Sequence, residues 1–244
     1  MRVLGTYPLQ VGALLVLWDV DNTMIANGGV SKETYAGAFE LLTGRRAEFR
    51  PRTGGSTDLL IMRDLAERHG AVLTEGPENI FGALERSLLV RRATLAARGR
   101  ALPGVRAALD ALAQMDGAVQ SVLTGNIRPN AFVKLDTFDL AGPPLDWDIG
   151  AFGSDDEVRA NLVGIAQRRS AEKYAVPFAR DNTVLIGDTP NDVRAGVEGG
   201  AKVVAVATGS DRAEVLAEAG ADIVLPDLED TASFLTAIKQ VRAS

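Results

Sequence analysis

Three short polar segments hold the residues best suited to chemistry on an anionic small molecule. In Asp19–Val20–Asp21–Asn22–Thr23, two carboxylates stand one residue apart, directly after an apolar run. One of them can face a substrate and a metal ion while the other turns towards a leaving group. Thr124–Gly125–Asn126 follows a second apolar run, and a hydroxyl with freely oriented amides there can cradle phosphate oxygens. Gly187–Asp188–Thr189–Pro190–Asn191–Asp192 follows a third. Asp188 can complete an oxygen site for Mg²⁺, which takes a few carboxylates, waters and a phosphate oxygen. Asp192, four residues on, can hold a metal-bound water or orient the loop. Each segment alone could be an ordinary turn, since Asp, Asn and Gly favour turns generally. Their meaning comes from recurring after successive strands.

Those strands are read from short, continuous apolar runs: Val11–Trp18, Ala118–Leu123, Ile149–Phe152, Thr183–Ile186, Lys202–Val206 and Asp222–Leu225. Continuous rather than alternating apolarity predicts strands covered on both faces, as in a parallel sheet. Helical spacing lies between them at Val105–Met115, Val158–Lys173, Pro190–Gly199 and Ala213–Ala219. The alternation predicts an α/β fold with a doubly wound parallel sheet. In such a sheet the carboxyl ends of the strands form the ligand crevice, and all three polar segments fall there.

The stretch from Ser31 to Arg98 breaks the alternation and shows three helical patterns and no good strand. Ser31 is expected to cap the first, Ser56 or Thr57 to start the second, and Pro77 to open a third reaching Ala97. A helical domain over residues 29–99 is therefore expected to interrupt a core of residues 1–28 and 100–244, with crossings near Gly28–Gly29 and Gly99. Within it, the glycine-rich turn Thr53–Gly54–Gly55–Ser56–Thr57–Asp58 opens a helix, and could present amides and a positive dipole end to an anion or merely cap that helix. Arg52 beside it is a candidate for a substrate carboxylate. His69, followed by Gly70, reads as a helix end, and the pattern through Leu84–Leu95 as packing.

Asp-x-Asp-x-Thr, then Thr-Gly-Asn, then Gly-Asp-x-x-x-Asp, in this order after successive strands, resembles the haloacid dehalogenase (HAD) superfamily. Within it, the chain looks like the C1-capped branch of phosphoglycolate phosphatases and phosphoglucomutases. The resemblance implies a Rossmann-like core with a helical C1-type cap and a Mg²⁺-dependent phosphatase acting on a small-molecule phosphate ester. It implies that Asp19 forms an aspartyl-phosphate, that Asp21 is the general acid and base, and that Thr124, Gly125 and Asn126 bind phosphate. Asp19, the carbonyl of Val20 and Asp188 would hold Mg²⁺, with Asp21 and Asp192 completing the metal site. Asn22 stands where the family most often has Gly, and Asn tolerates the left-handed conformation that position calls for. The family also places a basic residue, usually Lys, beside nucleophile and phosphate. Arg159, near the start of the helix after Ile149–Phe152, is preferred for it. Lys134 is the alternative, on a helix expected to carry it roughly 15 Å from Thr124 at about 1.5 Å per residue.

Other readings share some of these residues. A phosphomutase would use the same core set. Haloacid dehalogenation is disfavoured by Asp21, and phosphonate cleavage through a Schiff base by the insert's single lysine, Lys32. A non-catalytic phosphate-binding module would be expected to lose Asp19 or Asp21, and a receiver domain carries its reactive Asp on a later strand.

Composition narrows the classes further. With no cysteine among 244 residues, thiolate metal sites, disulfides and a cysteine nucleophile are excluded, and a reducing cytoplasm is the expected setting. The eight-residue run Val11–Trp18 is too short to span a bilayer and lacks a basic leader. A net charge of −6 argues against nucleic acid. The charge is uneven: residues 27–100 hold 12 Lys/Arg and 9 Asp/Glu, leaving 14 and 23 elsewhere. A basic insert on an acidic body suits an anionic substrate meeting a carboxylate-held cation, although arginine-rich helices also simply keep outer faces soluble.

Overall fold

The computed structural model describes residues 12–74 and 76–243, so Val11, the first residue of the first apolar run, lies outside it. The run continues as β1 (Leu14–Trp18), every residue of which is buried. Side chains alternate across a strand, and both faces here are covered. Leu14, Val16 and Trp18 pack into one apolar cluster and Leu15 and Leu17 into another. The chain continues through the short β2 (Ile25–Ala26) and β3 (Arg100–Ala101), then β4 (Ala118–Thr124), β5 (Ala151–Phe152), β6 (Thr183–Gly187), β7 (Lys202–Val206) and β8 (Ile223–Leu225). Six strands form a parallel sheet in the order β5-β4-β1-β6-β7-β8. This is the Rossmann-like α/β fold expected, and β1 sits where the strand order turns.

Four helices lie between β2 and β3: α1 (Val30–Thr43), α2 (Asp58–Arg68), α3 (Pro77–Leu89) and α4 (Arg92–Arg98). In the sheet region come α5 (Val105–Ala113), α6 (Arg128–Asp136), α7 (Arg159–Tyr174), α8 (Pro190–Gly199), α9 (Ala213–Glu218) and α10 (Thr231–Ala243). Helices α5 and α10 cover the Trp18 face through Leu109, Leu112, Phe234 and Ile238. Helix α7 covers the other with Leu162, Val163 and Ala166. Trp18 hands its indole N–H to Gln120 Oε1 at 3.1 Å, so its burial leaves no polar group unpaired. No helix among the described residues is long and apolar enough to cross a membrane.

The helical segment departs from expectation in detail. The third expected helix is two, because the Arg91 N–H donates to Leu88 O at 2.8 Å and closes a tighter turn between α3 and α4. Ser31 is not a cap: Gly29, in the left-handed region, occupies the cap position of α1. The antiparallel pair β2–β3 joins the two crossings through Ile25–Ala101 and Ala26–Arg100, an element two residues long and too short to show a period in sequence. Phe39, Met62, Leu65 and Leu84 build an apolar cluster of this segment's own, which Ile127 of the sheet region enters. His69 ends α2 as expected. Its Nδ1–H donates to Leu65 O at 2.6 Å, and Nε2 accepts the Glu48 N–H at 2.7 Å, tying the following loop to the helix.

Candidate active site

Hydrogen bonding between β1 and β6 runs on to Asp19, whose N–H donates to Ile186 O at 2.9 Å. This fixes the first carboxylate at the sheet's carboxyl edge. The chain then turns tightly, with the amides of Met24 and Ile25 both donating to Val20 O. Asn22 sits at the apex with φ of 61°, the conformation foreseen for a residue replacing glycine. Thr23 follows, fully buried, and donates to Asp188 Oδ1 at 3.1 Å, joining the first polar segment to the third.

Asp19, Asp188 and Asp192 converge, with one carboxylate oxygen from each lying within 4.8 Å of the others, and all three are buried. Burial and the neighbouring Asp192 push Asp19 up to about 7. Burial, Asp192 and Asp19 push Asp188 up to about 9. Such crowding is unfavourable for bare carboxylates and suits a bound cation. Asp188 Oδ2 is buried and has no hydrogen-bond partner. A Cβ at position 209 would overlap that same oxygen, so only glycine lets the loop after β7 pass so close. Hard acceptors, an orphaned buried oxygen and mutual repulsion together fit an oxygen-seeking divalent ion. Asp192 also closes the first turn of α8, accepting from Thr189 Oγ1 at 2.6 Å and from the Thr189 N–H at 3.0 Å.

Asp21, placed with the metal ligands in the sequence reading, does not join this cluster. One of its oxygens accepts from Asn27 Nδ2 at 2.7 Å and Ser31 Oγ at 3.1 Å. The other accepts from Lys134 Nζ at 2.6 Å and Asn126 Nδ2 at 3.0 Å. Burial alone would raise its pKa, but the Lys134 ammonium and these donors bring it below the usual carboxylate value. Four donors leave Asp21 little capacity for an ion.

The two basic candidates divide the work. Arg159, the first residue of α7, donates to Asp19 Oδ1 at 2.6 Å and is ion-paired with Asp192. Lys134 was expected far from Thr124, yet its Nζ reaches both Asp21 and Asn126 Oδ1 at 2.6 Å. Helix α6 begins at Arg128, so Lys134 is only six residues along it, and helical side chains lean back towards the N-terminus. Asn126 links onward, donating from Nδ2 to Thr124 Oγ1 at 2.9 Å.

The Thr53–Asp58 turn comes over the site and is bonded to the sheet region. Gly55 O accepts from Arg159 Nη1 at 2.7 Å, and Gly54 O accepts from Asn191 Nδ2. The Ser56 N–H donates to Thr53 O and the Asp58 N–H to Gly125 O, both at 2.8 Å. Gly54 and Gly55 thus tie the turn to the sheet region through their carbonyls, and both glycines line the cavity beneath it. Asp58 supplies its own negative charge at the start of α2, accepting from Tyr35 Oη at 2.6 Å and the Ile127 N–H at 2.9 Å. Arg52 lies outside: its side chain is 74% exposed and 3.8 Å from Asp64. Asn27, Tyr35 and Gly209 went unnoticed in sequence, and Ser31 was noticed only as a cap. Only Ser31 carried a signal, and a cap was the commoner meaning of it.

Gly125 marks a close approach of the turn to the sheet region, because a Cβ there would overlap the carbonyl of Ser56. Gly125→Ala should lift the Thr53–Thr57 turn off the sheet region. Hydrogen exchange at the Asp58 amide should then speed up about 10-fold or more, as its bond to Gly125 O is lost. Unchanged exchange there would show that the turn does not depend on this contact. Between turn and sheet lies a small cavity of about 110 Å³, lined by Asp19, Thr124, Arg159 and Asp188 on one side and by Tyr35, Thr53 and Ser56 on the other.

Comparison with known proteins agrees with this geometry. The family model for haloacid dehalogenase-like hydrolases matches residues 16–196, and a second, HAD-hydrolase-like model matches residues 162–231. No curated protein matches the chain. Among solved structures, a hydrolase from Pseudomonas syringae is 20% identical, with a TM-score of 0.69 over 92% of this chain and 99% of the other. CbbY from Rhodobacter sphaeroides, in complex with phosphate, is 17% identical, with a TM-score of 0.62 over 89% and 96%. A predicted phosphoglycolate phosphatase from Haemophilus somnus is 16% identical, with a TM-score of 0.64 over 92% and 99%. At such identities these structures share the fold, whereas the family match runs from within β1 into α8 and takes in all three polar segments. The chain belongs to the haloacid dehalogenase-like hydrolases.

Proposed function

We propose that this hydrolase is a Mg²⁺-dependent phosphatase that cleaves a small-molecule phosphate monoester through an aspartyl-phosphate on Asp19. The observation that carries the reading is the convergence of Asp19, Asp188 and Asp192, with Asp188 Oδ2 unpartnered and Arg159 on Asp19. Asp19 and Asp188 would hold the ion, with Asp192 beside them. When bound, Mg²⁺ supplies positive charge that offsets the negative charge of the transferring phosphoryl group.

Asp19 would attack phosphorus as the ester P–O bond breaks, and the leaving oxygen would take a proton from Asp21. Asp21 would then remove a proton from the water that attacks phosphorus, freeing inorganic phosphate and Asp19. As it rests, ionised beside Lys134, Asp21 is suited to the second of these steps. An arriving phosphate adds negative charge nearby and raises its affinity for the proton the first step needs. Thr124 and the amides around Gly125 would bind phosphate oxygens, and Arg159 would steady both phosphate and Asp19. Residues 29–99 would act as a cap, its Thr53–Asp58 turn closing the cavity against water.

Mg²⁺ should raise the melting temperature by roughly 5–10 °C at about 100-fold excess over its Kd, because it relieves the carboxylate repulsion. Excess chelator should reverse the shift and stop phosphate release. Turnover that persists undiminished in chelator would reject the metal-dependent reading.

A further inference from the structure

The wall of the cavity carries an uneven set of charges. Asp19, Asp21, Asp188 and Asp211 line it, against Arg159 as the one cationic side chain among the described residues. That guanidinium is already engaged by Asp19, Asp192 and Gly55 O. A divalent ion would therefore leave the wall negative even before phosphate arrives. Nearby cations are turned to other work: Lys134 lies behind Asp21 and is bonded to it, Arg63 pairs with Glu157, and Arg52 stands beside Asp64.

The other polar residues of the cavity wall have a different character. Thr53 and Ser56 supply hydroxyls from the turn, and Ser210 supplies one from the loop after β7. Asp211, in that same loop, is half-buried and has no hydrogen bond or ion pair among the described residues. A carboxylate so placed accepts hydroxyl protons and repels a second anion.

We propose that the site selects short phosphate esters whose leaving group is an uncharged polyhydroxy alcohol, with Asp211 accepting a hydroxyl, and rejects phosphorylated carboxylic acids. The proposal rests on the phosphatase reading above and deepens it. It separates this chain from relatives named for a carboxylic-acid ester, such as the Haemophilus somnus structure, whose likeness here is one of fold.

Glycerol 3-phosphate and 3-phosphoglycerate make a matched pair, sharing a three-carbon skeleton and differing at the end remote from phosphate. With Mg²⁺, kcat/KM should favour glycerol 3-phosphate by about 30-fold or more, since like charges brought together in a confined site are strongly disfavoured. Asp211→Asn should shrink that ratio about 10-fold while changing hydrolysis of 4-nitrophenyl phosphate little, because the aryl ester has no hydroxyl for Asp211 to read. Preference for 3-phosphoglycerate, or a ratio insensitive to Asp211→Asn, would overturn the proposal. Selectivity is also readable without turnover, from the thermal shift that each ester produces in Asp19→Asn protein with Mg²⁺. If no ester is hydrolysed by the wild type yet only glycerol 3-phosphate stabilises the variant, the selectivity stands and the phosphatase reading falls. Equal stabilisation by both esters would remove the selectivity.

Discussion

Asp19→Asn should lower phosphate release at least ~10⁴-fold while leaving the protein folded. The size of the loss follows from what one oxygen is asked to do. Asp19 is the only one of the three converging carboxylates that Arg159 holds by a hydrogen bond, at 2.6 Å, and it leads directly out of the central strand. An amide in its place cannot form the acyl phosphate and offers the metal a weaker oxygen. The fold should tolerate the change because the carboxylate is not there for stability. Its pKa near 7 reflects burial and the repulsion of Asp192, against which Arg159 works. Exchanging it for a neutral isostere removes a repulsion together with an attraction, so the melting temperature in chelator should move little. The covalent step has its own assay: acid-quenched wild type mixed with labelled substrate should retain label, and the variant should not. Turnover within ten-fold of wild type would remove Asp19 from the role of nucleophile.

The elements that were legible in sequence are those whose signal is local. Six apolar runs became the six strands of the parallel sheet, because a strand buried on both faces must be apolar throughout. Asn22 could be placed in the left-handed region because few other residues tolerate it. What stayed hidden depends on partners distant in sequence. Asp21 looks like a metal ligand beside Asp19, and nothing near it reveals that Lys134, 113 residues away, takes one of its oxygens. Ser31 looks like a cap because caps are what serines before helices usually do, yet its hydroxyl reaches Asp21. The Gly54–Gly55 turn reads in sequence as an anion site or a helix cap, and nothing near it reveals that Arg159 and Asn191 hold its carbonyls across the seam. Lys134 was misplaced for a geometric reason, since counting rise along a helix ignores how far a lysine leans back towards the helix start.

That lysine should also be where the fold is most sensitive. Its side chain is 3% exposed, and its ammonium has one partner in Asp21 and a second in Asn126, both at 2.6 Å. Methionine matches the length of the stem and can fill the space but carries no charge. Lys134→Met therefore strands Asp21 as a largely enclosed carboxylate and leaves Asn126 without the donor that orients its amide. Breaking a buried pair from one side costs about 3–5 kcal/mol, and the lower end applies here because the Asp21 side chain keeps 23% exposure and three donors, Asn27, Ser31 and Asn126. Urea unfolding at pH 7 should report about 3 kcal/mol of lost stability. The pH dependence separates this cause from a packing defect. Wild-type Asp21 is held below its ordinary value of 3.8, so the pair contributes fully above that value and is lost as pH falls through the lowered one. In the variant Asp21 has no cation, and protonation relieves it. The gap between the two proteins should thus be widest near neutrality and close on acidification. A gap of the same size at pH 3 and pH 7 would mean that Lys134 matters for its shape and not for its charge.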